Sequence, residues 1–341
     1  LGSATEVTLN GEPCTIVSNT ATQIVITTDA SPQAGNIVVT TAANSATSPS
    51  ALSLLSLPPA TATAASSTTF CQGGSVVINA NTGTGLTYQW RNSSGNISGA
   101  TASSYTTSVG DAFRIIVTNS DGCRDTSVAV NVTVNSLPIA TATAGGATTF
   151  CQGGNVIINA NTGTGLTYQW RNAAGNISGA TNASFTASTS GAYKVVVSNA
   201  NGCVDSSSAV SVTVNPLPSA TATAAGSTTF CQGGNVVINA NTGTGLTYQW
   251  RNAAGNISGA TNASYTADAS GDYKVVVTDS NSCIDSSSVV SVTVNPLPSA
   301  TATAAGSTTF CQGGNVVINA NTGTGLTYQW RNAAGNISGA T

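Results

Sequence analysis

The chain reads as an all-β protein made of small tandem β-sandwich domains, and three observations predict it. Cysteine and tryptophan recur every 80 residues: Cys71, Cys151, Cys231 and Cys311; Trp90, Trp170, Trp250 and Trp330; and Cys123, Cys203 and Cys283. Within each period apolar residues alternate with polar ones, the signature of a strand with one buried face. No 3.6-residue apolar pattern is long enough for a helix. Six or seven such strands in about 80 residues can bury their apolar faces only by packing one sheet on another.

In the first repeat "SVVINA" points Val76, Ile78 and Ala80 to one side, and "LTYQWRN" does the same with Leu86, Tyr88 and Trp90. Gln89 and Arg91 then face water. In the second repeat "AYKVVVS" turns Tyr193, Val195 and Val197 inward, and "AVSVTV" does so with Val210, Val212 and Val214. The third repeat places Tyr273 where the second has Tyr193. "NTGTG", "NAAGN" and "SNANG" supply turn chemistry between the runs. The junctions "NSLPI", "NPLPS" and "NPLPS" are short and stiffened by proline. The domains are thus a partial sandwich at 1–57, repeats at 58–137, 138–217 and 218–297, and a shortened fourth repeat at 298–341. Residues 211–261 and 291–341 are identical. Both ends fall inside predicted domains and the first residue is Leu1, so the chain is expected to be an internal stretch of something longer.

Composition excludes several classes. Only 6% of residues are charged, the net charge is -3, and the eight Lys and Arg look scattered along the chain. Counterion release therefore has nothing to act on, and no nucleic-acid partner is expected. No apolar run approaches the roughly 18 residues of a membrane helix, so no insertion is expected in this segment. With His absent, Ser-His-Asp and Cys-His nucleophile systems are excluded.

The strand set resembles a known family. "TYQWRN", then "SGAYKVVVSNANGC" and "SVTV", is similar to the Trp-bearing strand, the G-x-Y strand and the closing strand of an immunoglobulin-like domain. From "FCQGG" to "NGC" the repeat resembles the Ig-like units of giant cell-surface adhesins of Bacteroidota, exported by type IX secretion. The opening "VTLNGEPCTIVSNTATQIVITTDASPQAGNIVVTTAANSATS" resembles the later strands of an IPT/TIG domain. The resemblance implies tandem immunoglobulin-like sandwiches arranged as beads on a rod.

Two cysteines per repeat in a chain without His point to disulfides and an extracellular setting. Zinc would need four ligands where a repeat offers two thiols. The disulfide candidates are Cys71, Cys123, Cys151, Cys203, Cys231, Cys283 and Cys311; Cys14 has no obvious partner. The cysteines depart from the usual immunoglobulin pin, because Cys203 follows Tyr193 by ten residues and Cys151 precedes its strand. Two arrangements are open: pairing within a repeat, as Cys71 with Cys123, or stapling between neighbours, as Cys71 with Cys203 and Cys151 with Cys283. Domains resembling this one carry both cysteines as a set, which favours pairing within the repeat.

The acidic residues, the glycine pairs and the tryptophans read as structural rather than chemical. Asp125, Asp205 and Asp285 each follow a turn and read as hydrogen-bonding turn residues. Asp268, Asp272 and Asp279 fall short of the six to eight oxygens calcium takes, and "STSGA" replaces the first two in the second repeat. "GTG" at 83–85 lacks the spacing of a phosphate loop. The four tryptophans lie on the core side of their strands and so are core residues rather than sugar platforms. Isopeptide stapling is not expected, because Arg114 stands where the later repeats have Lys194 and Lys274.

The expectation is a non-enzymatic stalk or filament segment of a large secreted adhesin, without cofactor or metal. Its partners would be neighbouring repeats, other copies of itself, and a surface polysaccharide or another cell. Scarce charge on strand edges favours association, identical beads give avidity, and three units would reach on the order of 100 Å. The competing reading is a spacer or carbohydrate-binding array attached to a secreted enzyme.

Overall fold

The computed structural model describes residues 4–28 and 33–341. Residues 1–3 lie outside the described residues, as do 29–32, which fall within the stretch whose sequence was expected to resemble an IPT/TIG domain. No helix occurs among the described residues. The chain divides into two compact units: Leu1–Ala140 with Asn161–Tyr168 and Val196–Ser207, and Thr141–Ala160 with Gln169–Val195 and Ser208–Thr341. The first contains the whole of repeat 1 and the second the whole of repeat 3.

In the first unit the N-terminal strands are β1 (Ala4–Leu9), β2 (Glu12–Pro13), β3 (Thr15–Asn19), β4 (Ile24–Thr27), β5 (Ile37–Thr41) and β6 (Ser45–Thr47). They form a four-stranded sheet in the order β2-β1-β5-β6 and a separate β3-β4 hairpin. Asn10 and Gly11 link β1 to β2 with φ of 53° and 84°, the left-handed pair that makes Asn-Gly a tight hairpin turn. Its core is thin, with Val7 and Leu9 the fully buried apolar side chains among the described residues of this segment.

Repeat 1 is built from β7 (Ala62–Ala64), β8 (Thr69–Cys71), β9 (Val76–Ala80), β10 (Thr87–Asn92), β11 (Gly95–Asn96), β12 (Ser104–Thr107), β13 (Ala112–Thr118), β14 (Arg124–Thr126), β15 (Val130–Asn131) and β16 (Thr133–Asn135). One sheet has the order β7-β9-β12; the other has the order β11-β10-β13-β14, with β15 also on β13. The short β8 runs parallel to β16, so the chain's entry edge is closed by its last strand. Alternation in β9, β10 and β13 aims Val76, Ile78, Trp90, Phe113, Ile115 and Val117 into a single core. Trp90 is completely buried, and its Nε1 donates to the carbonyl of Ala102 at 2.9 Å. Tyr105 lies over it with ring centroids 6.0 Å apart and bridges to Phe113 at 5.6 Å. A buried indole with its donor satisfied contributes both area and specificity.

In the second unit repeat 3 follows the same plan. Thr229–Cys231, Val290–Asn295, Gly271–Thr278, Thr247–Asn252 and Gly255–Asn256 lie side by side, with Ile284–Ser286 also paired to Gly271–Thr278. The opposing sheet is Ala222–Ala224, Val236–Ala240 and Ser264–Ala267. Trp250, Ile238, Val275 and Val277 are fully buried between the sheets. Residues 298–341 keep only two pairings: Ala302–Ala304 with Ile318–Ala320, and Arg331–Asn332 with Gly335–Asn336.

Candidate functional site

The feature that distinguishes this sandwich is where its cysteines sit. Parallel pairing of β8 with β16 places Cys71 opposite Asn135, beside the linker that leaves repeat 1. Gln72 N donates to Asn135 O at 2.8 Å, and Gly74 N closes the turn on Cys71 O at 2.9 Å. Gly73 takes φ 95° there, a conformation only glycine adopts cheaply, which is why "FCQGG" carries its glycines.

The second cysteine of a repeat occupies the opposite end, in the turn between its longest strand and the three-residue strand that follows and pairs antiparallel with it. In repeat 2 Asn199 Oδ1 accepts from Asn201 N at 3.1 Å and from Cys203 N at 3.0 Å, while Gly202 turns with φ 76°. The same side chain reaches back with Nδ2 to Ser136 O, 2.9 Å away in the incoming linker. One asparagine thus shapes the turn and pins the linker to it. Cys203, completely buried, lies with its Sγ 3.9 Å from Asn135 O.

Cys71 and Cys203 are joined as a disulfide with Cα atoms 5.5 Å apart, and Cys151 and Cys283 are joined with the same spacing. Both bridges span a sequence separation of 132. The expectation of pairing within a repeat, Cys71 with Cys123, is therefore corrected. Cys71 is held at the outgoing end of repeat 1 by β16. Cys123 sits at the incoming end, where Asn119 Oδ1 takes its N–H at 2.9 Å and Asn119 Nδ2 reaches Ser56 O at 3.0 Å. A sandwich's length separates the two thiols, so each can meet only a neighbour's cysteine. Cys123 and Cys14 are free and half-buried; Cys231 and Cys311 are free and exposed.

The second bridge repeats the first with altered parts. Cys151 lies opposite Asn215, and Gln152 N donates to Asn215 O at 2.8 Å. In the receiving turn Asp279 replaces the asparagine and accepts from Cys283 N at 2.8 Å. Ser282 stands where the earlier turn has Gly202 and adopts φ 63°. In the chain-entropy description, closing a loop of this size stabilises by about 5 kcal/mol.

Trp170 and Trp250 are buried like Trp90, whereas Trp330 is half-buried. Tyr193 and Tyr273 are buried and donate to the carbonyls of Thr189 at 2.9 Å and Ala269 at 3.0 Å. Burial lifts the Tyr273 phenol above its ordinary value, and Tyr265 and Asp268 add to the effect. Asp125, Asp205 and Asp285 each accept a hydrogen bond from the next backbone N–H. Asp272 accepts from Ser291 Oγ and Asp279 caps its turn, so the acidic residues of repeat 3 are engaged separately. Among the described residues no three of His, Cys, Asp and Glu gather as metal ligands, and no helix is long and apolar enough to cross a membrane.

Residues 138–216 and 218–296 match a family model described as "Ig-like domain CHU_C associated". No curated protein matches the chain. Solved structures resemble it at low identity. A three-Ig structure of titin is 10% identical, covering 70% of this chain and 100% of that one with a TM-score of 0.37. Extracellular domains 3–5 of Drosophila OTK are 13% identical over 67% of this chain and 93% of that one, TM-score 0.29. The fibronectin(III)-like modules of Clostridium thermocellum CbhA are 13% identical over 45% and 94%, TM-score 0.26. The family match and the strand order define an all-β array of tandem immunoglobulin-like domains, two of which match that family's model.

Proposed function

We propose that this chain is a non-enzymatic stalk or filament segment of a large secreted or cell-surface adhesin of the kind Bacteroidota export, supplying reach and multivalent attachment. The observation that carries the reading is the disulfide between successive repeats. A bridge from one bead to the next changes how tension travels: force entering at Cys71 passes directly to Cys203 instead of unravelling the residues between them. The bridge from Cys151 to Cys283 overlaps the first, so repeat 2 is tied to both neighbours. Identical beads held in this way also present identical faces, and avidity multiplies a weak contact without new chemistry.

Stretching single molecules by their ends tests the reading. Between Cys71 and Cys283 the intact bridges shorten the covalent path by the 132-residue span of one bridge, or about 470 Å of extended chain. Oxidised molecules should stop that far short of reduced ones at forces high enough to unfold the domains. Equal lengths before and after reduction would remove the basis for a reinforced stalk.

A further inference from the structure

The eight Lys and Arg are not scattered once the strands are paired. In repeat 1 Arg91 on β10 lies directly opposite Arg114 on β13. In repeat 3 Arg251 lies directly opposite Lys274. Arg171 and Lys194 hold the same positions in repeat 2, so six of the chain's eight cations fall into three pairs, one per repeat. Each pair sits on the outer face, because its neighbours Trp90, Phe113 and Ile115 and their copies fill the core. Like charges directly opposite on a sheet destabilise it, and this chain, with 6% charged residues, had every other residue type to use there.

The cations are also unanswered. Among the described residues Arg114 is the one member of the six with a hydrogen-bond partner, Ser127 O at 3.3 Å. The Nε atoms of Arg171 and Arg251 are buried with no partner. In repeat 3 the pair opens into a cleft of about 350 Å³ lined by Arg251, Asn252, Asp272 and Lys274 among others. Asn252 spends its Oδ1 on Ala254 N at 3.0 Å, which leaves its amide donors for a ligand. Nearby carboxylates differ between repeats. Repeat 1 has Asp111, held by Ala112 N and Ser93, and repeat 3 has Asp272, held by Ser291; the matching positions of repeat 2 are Gly191 and Ala192.

We infer that each cation pair is an anion-binding site, and that its ligand is an acidic polysaccharide carrying uronate or sulfate groups. Two adjacent cations with an amide donor beside them match an anionic group flanked by hydroxyls. Nucleic acid fits worse: it offers a phosphate at every nucleotide and calls for a continuous basic groove or exposed aromatic platforms, while the tryptophans of the complete repeats are buried. Sites recurring once per bead would act together on one polymer. The inference holds whether the array is a stalk or a spacer, since it concerns binding by the beads themselves.

Affinity chromatography of the intact chain on immobilised polygalacturonate, dextran sulfate, neutral dextran and single-stranded DNA tests it. The chain should be retained on the two acidic polysaccharides at low salt, released by about 0.3 M NaCl as screening shortens to a few ångströms, and pass through neutral dextran. The combined variant R91Q, R114Q, R171Q, K194Q, R251Q and K274Q should lose retention, with tryptophan emission reporting an intact core. Should that variant misfold, Ala192→Asp decides alone: it adds to repeat 2 the carboxylate of repeat 3 and should weaken binding roughly twofold to fivefold. Passage of the native chain through both acidic resins, or unchanged retention of either folded variant, overturns the site. Tighter retention on DNA than on either polysaccharide overturns the ligand class.

Discussion

Residues 218–261 and 298–341 are the same sequence in two settings, and they fold differently. In repeat 3 Ile238 is completely buried, whereas its copy Ile318 is 50% exposed. Trp250 is sealed in the core and Trp330 only half-buried. Thr229–Cys231 forms a strand because Val290–Asn295 lies parallel to it; Thr309–Cys311 forms none. What both copies share is made within the half itself: the pairing of Ala222–Ala224 with Val236–Ala240 and of Ala302–Ala304 with Ile318–Ala320, the turn closed by Gly234 and Gly314 on the preceding cysteine carbonyl, and the short hairpins at Gly255–Asn256 and Gly335–Asn336. The difference teaches that turns belong to the letters, while the sandwich belongs to the pairing of a first half with the strands Ser264–Ala267, Gly271–Thr278 and Val290–Asn295. Two-stranded pieces without a second sheet have too little apolar surface to cover.

The comparison can be sharpened by completing the second copy. Appending residues 262–297 after Thr341 should convert 298–341 into a full domain, stabilising it by about 4–12 kcal/mol and moving Trp330 into an apolar environment measurable by its emission maximum. It can be broken by cutting the core. Trp250→Ala should cost repeat 3 about 3–5 kcal/mol in chemical denaturation, whereas Trp330→Ala, the same substitution in the same sequence, should change stability by less than about 0.5 kcal/mol. Ser287→Ala leaves Val275 N, now bonded to Ser287 Oγ at 3.0 Å, without an acceptor in the core; a loss of about 1–3 kcal/mol is expected. The last effect is a gain. Ser282→Gly relieves the positive φ at the receiving turn of the second bridge and should stabilise repeat 3 by about 1 kcal/mol, seen as a raised midpoint in thermal unfolding.

Much of this fold was legible in the letters because burial follows a two-residue period. The alternation of Val76, Ile78 and Trp90, and of Tyr193, Val195 and Val197, marked strands and core side chains directly, and the 80-residue recurrence marked the beads. Less was legible where residues far apart in sequence meet. Nothing local in "TTFC" announces that Thr69–Cys71 will pair in parallel with Thr133–Asn135. That one pairing decides which end of the bead Cys71 occupies, and so which cysteine it can reach. The signal that could have found it was present: an asparagine or aspartate four residues before each second cysteine, able to shape a turn, the asparagines Asn119 and Asn199 also having an amide donor to grip a linker. The cation pairs were hidden for the same reason, because Arg114 lies 23 positions after Arg91 and only strand register sets them side by side.

The central claim is that neighbouring beads are covalently joined by a cysteine at the exit of one and a cysteine at the entrance of the next. Peptide mapping of the non-reduced protein tests it most directly. The account predicts linked peptides holding Cys71 with Cys203 and Cys151 with Cys283; a linked peptide holding Cys71 with Cys123, or Cys151 with Cys203, would contradict it.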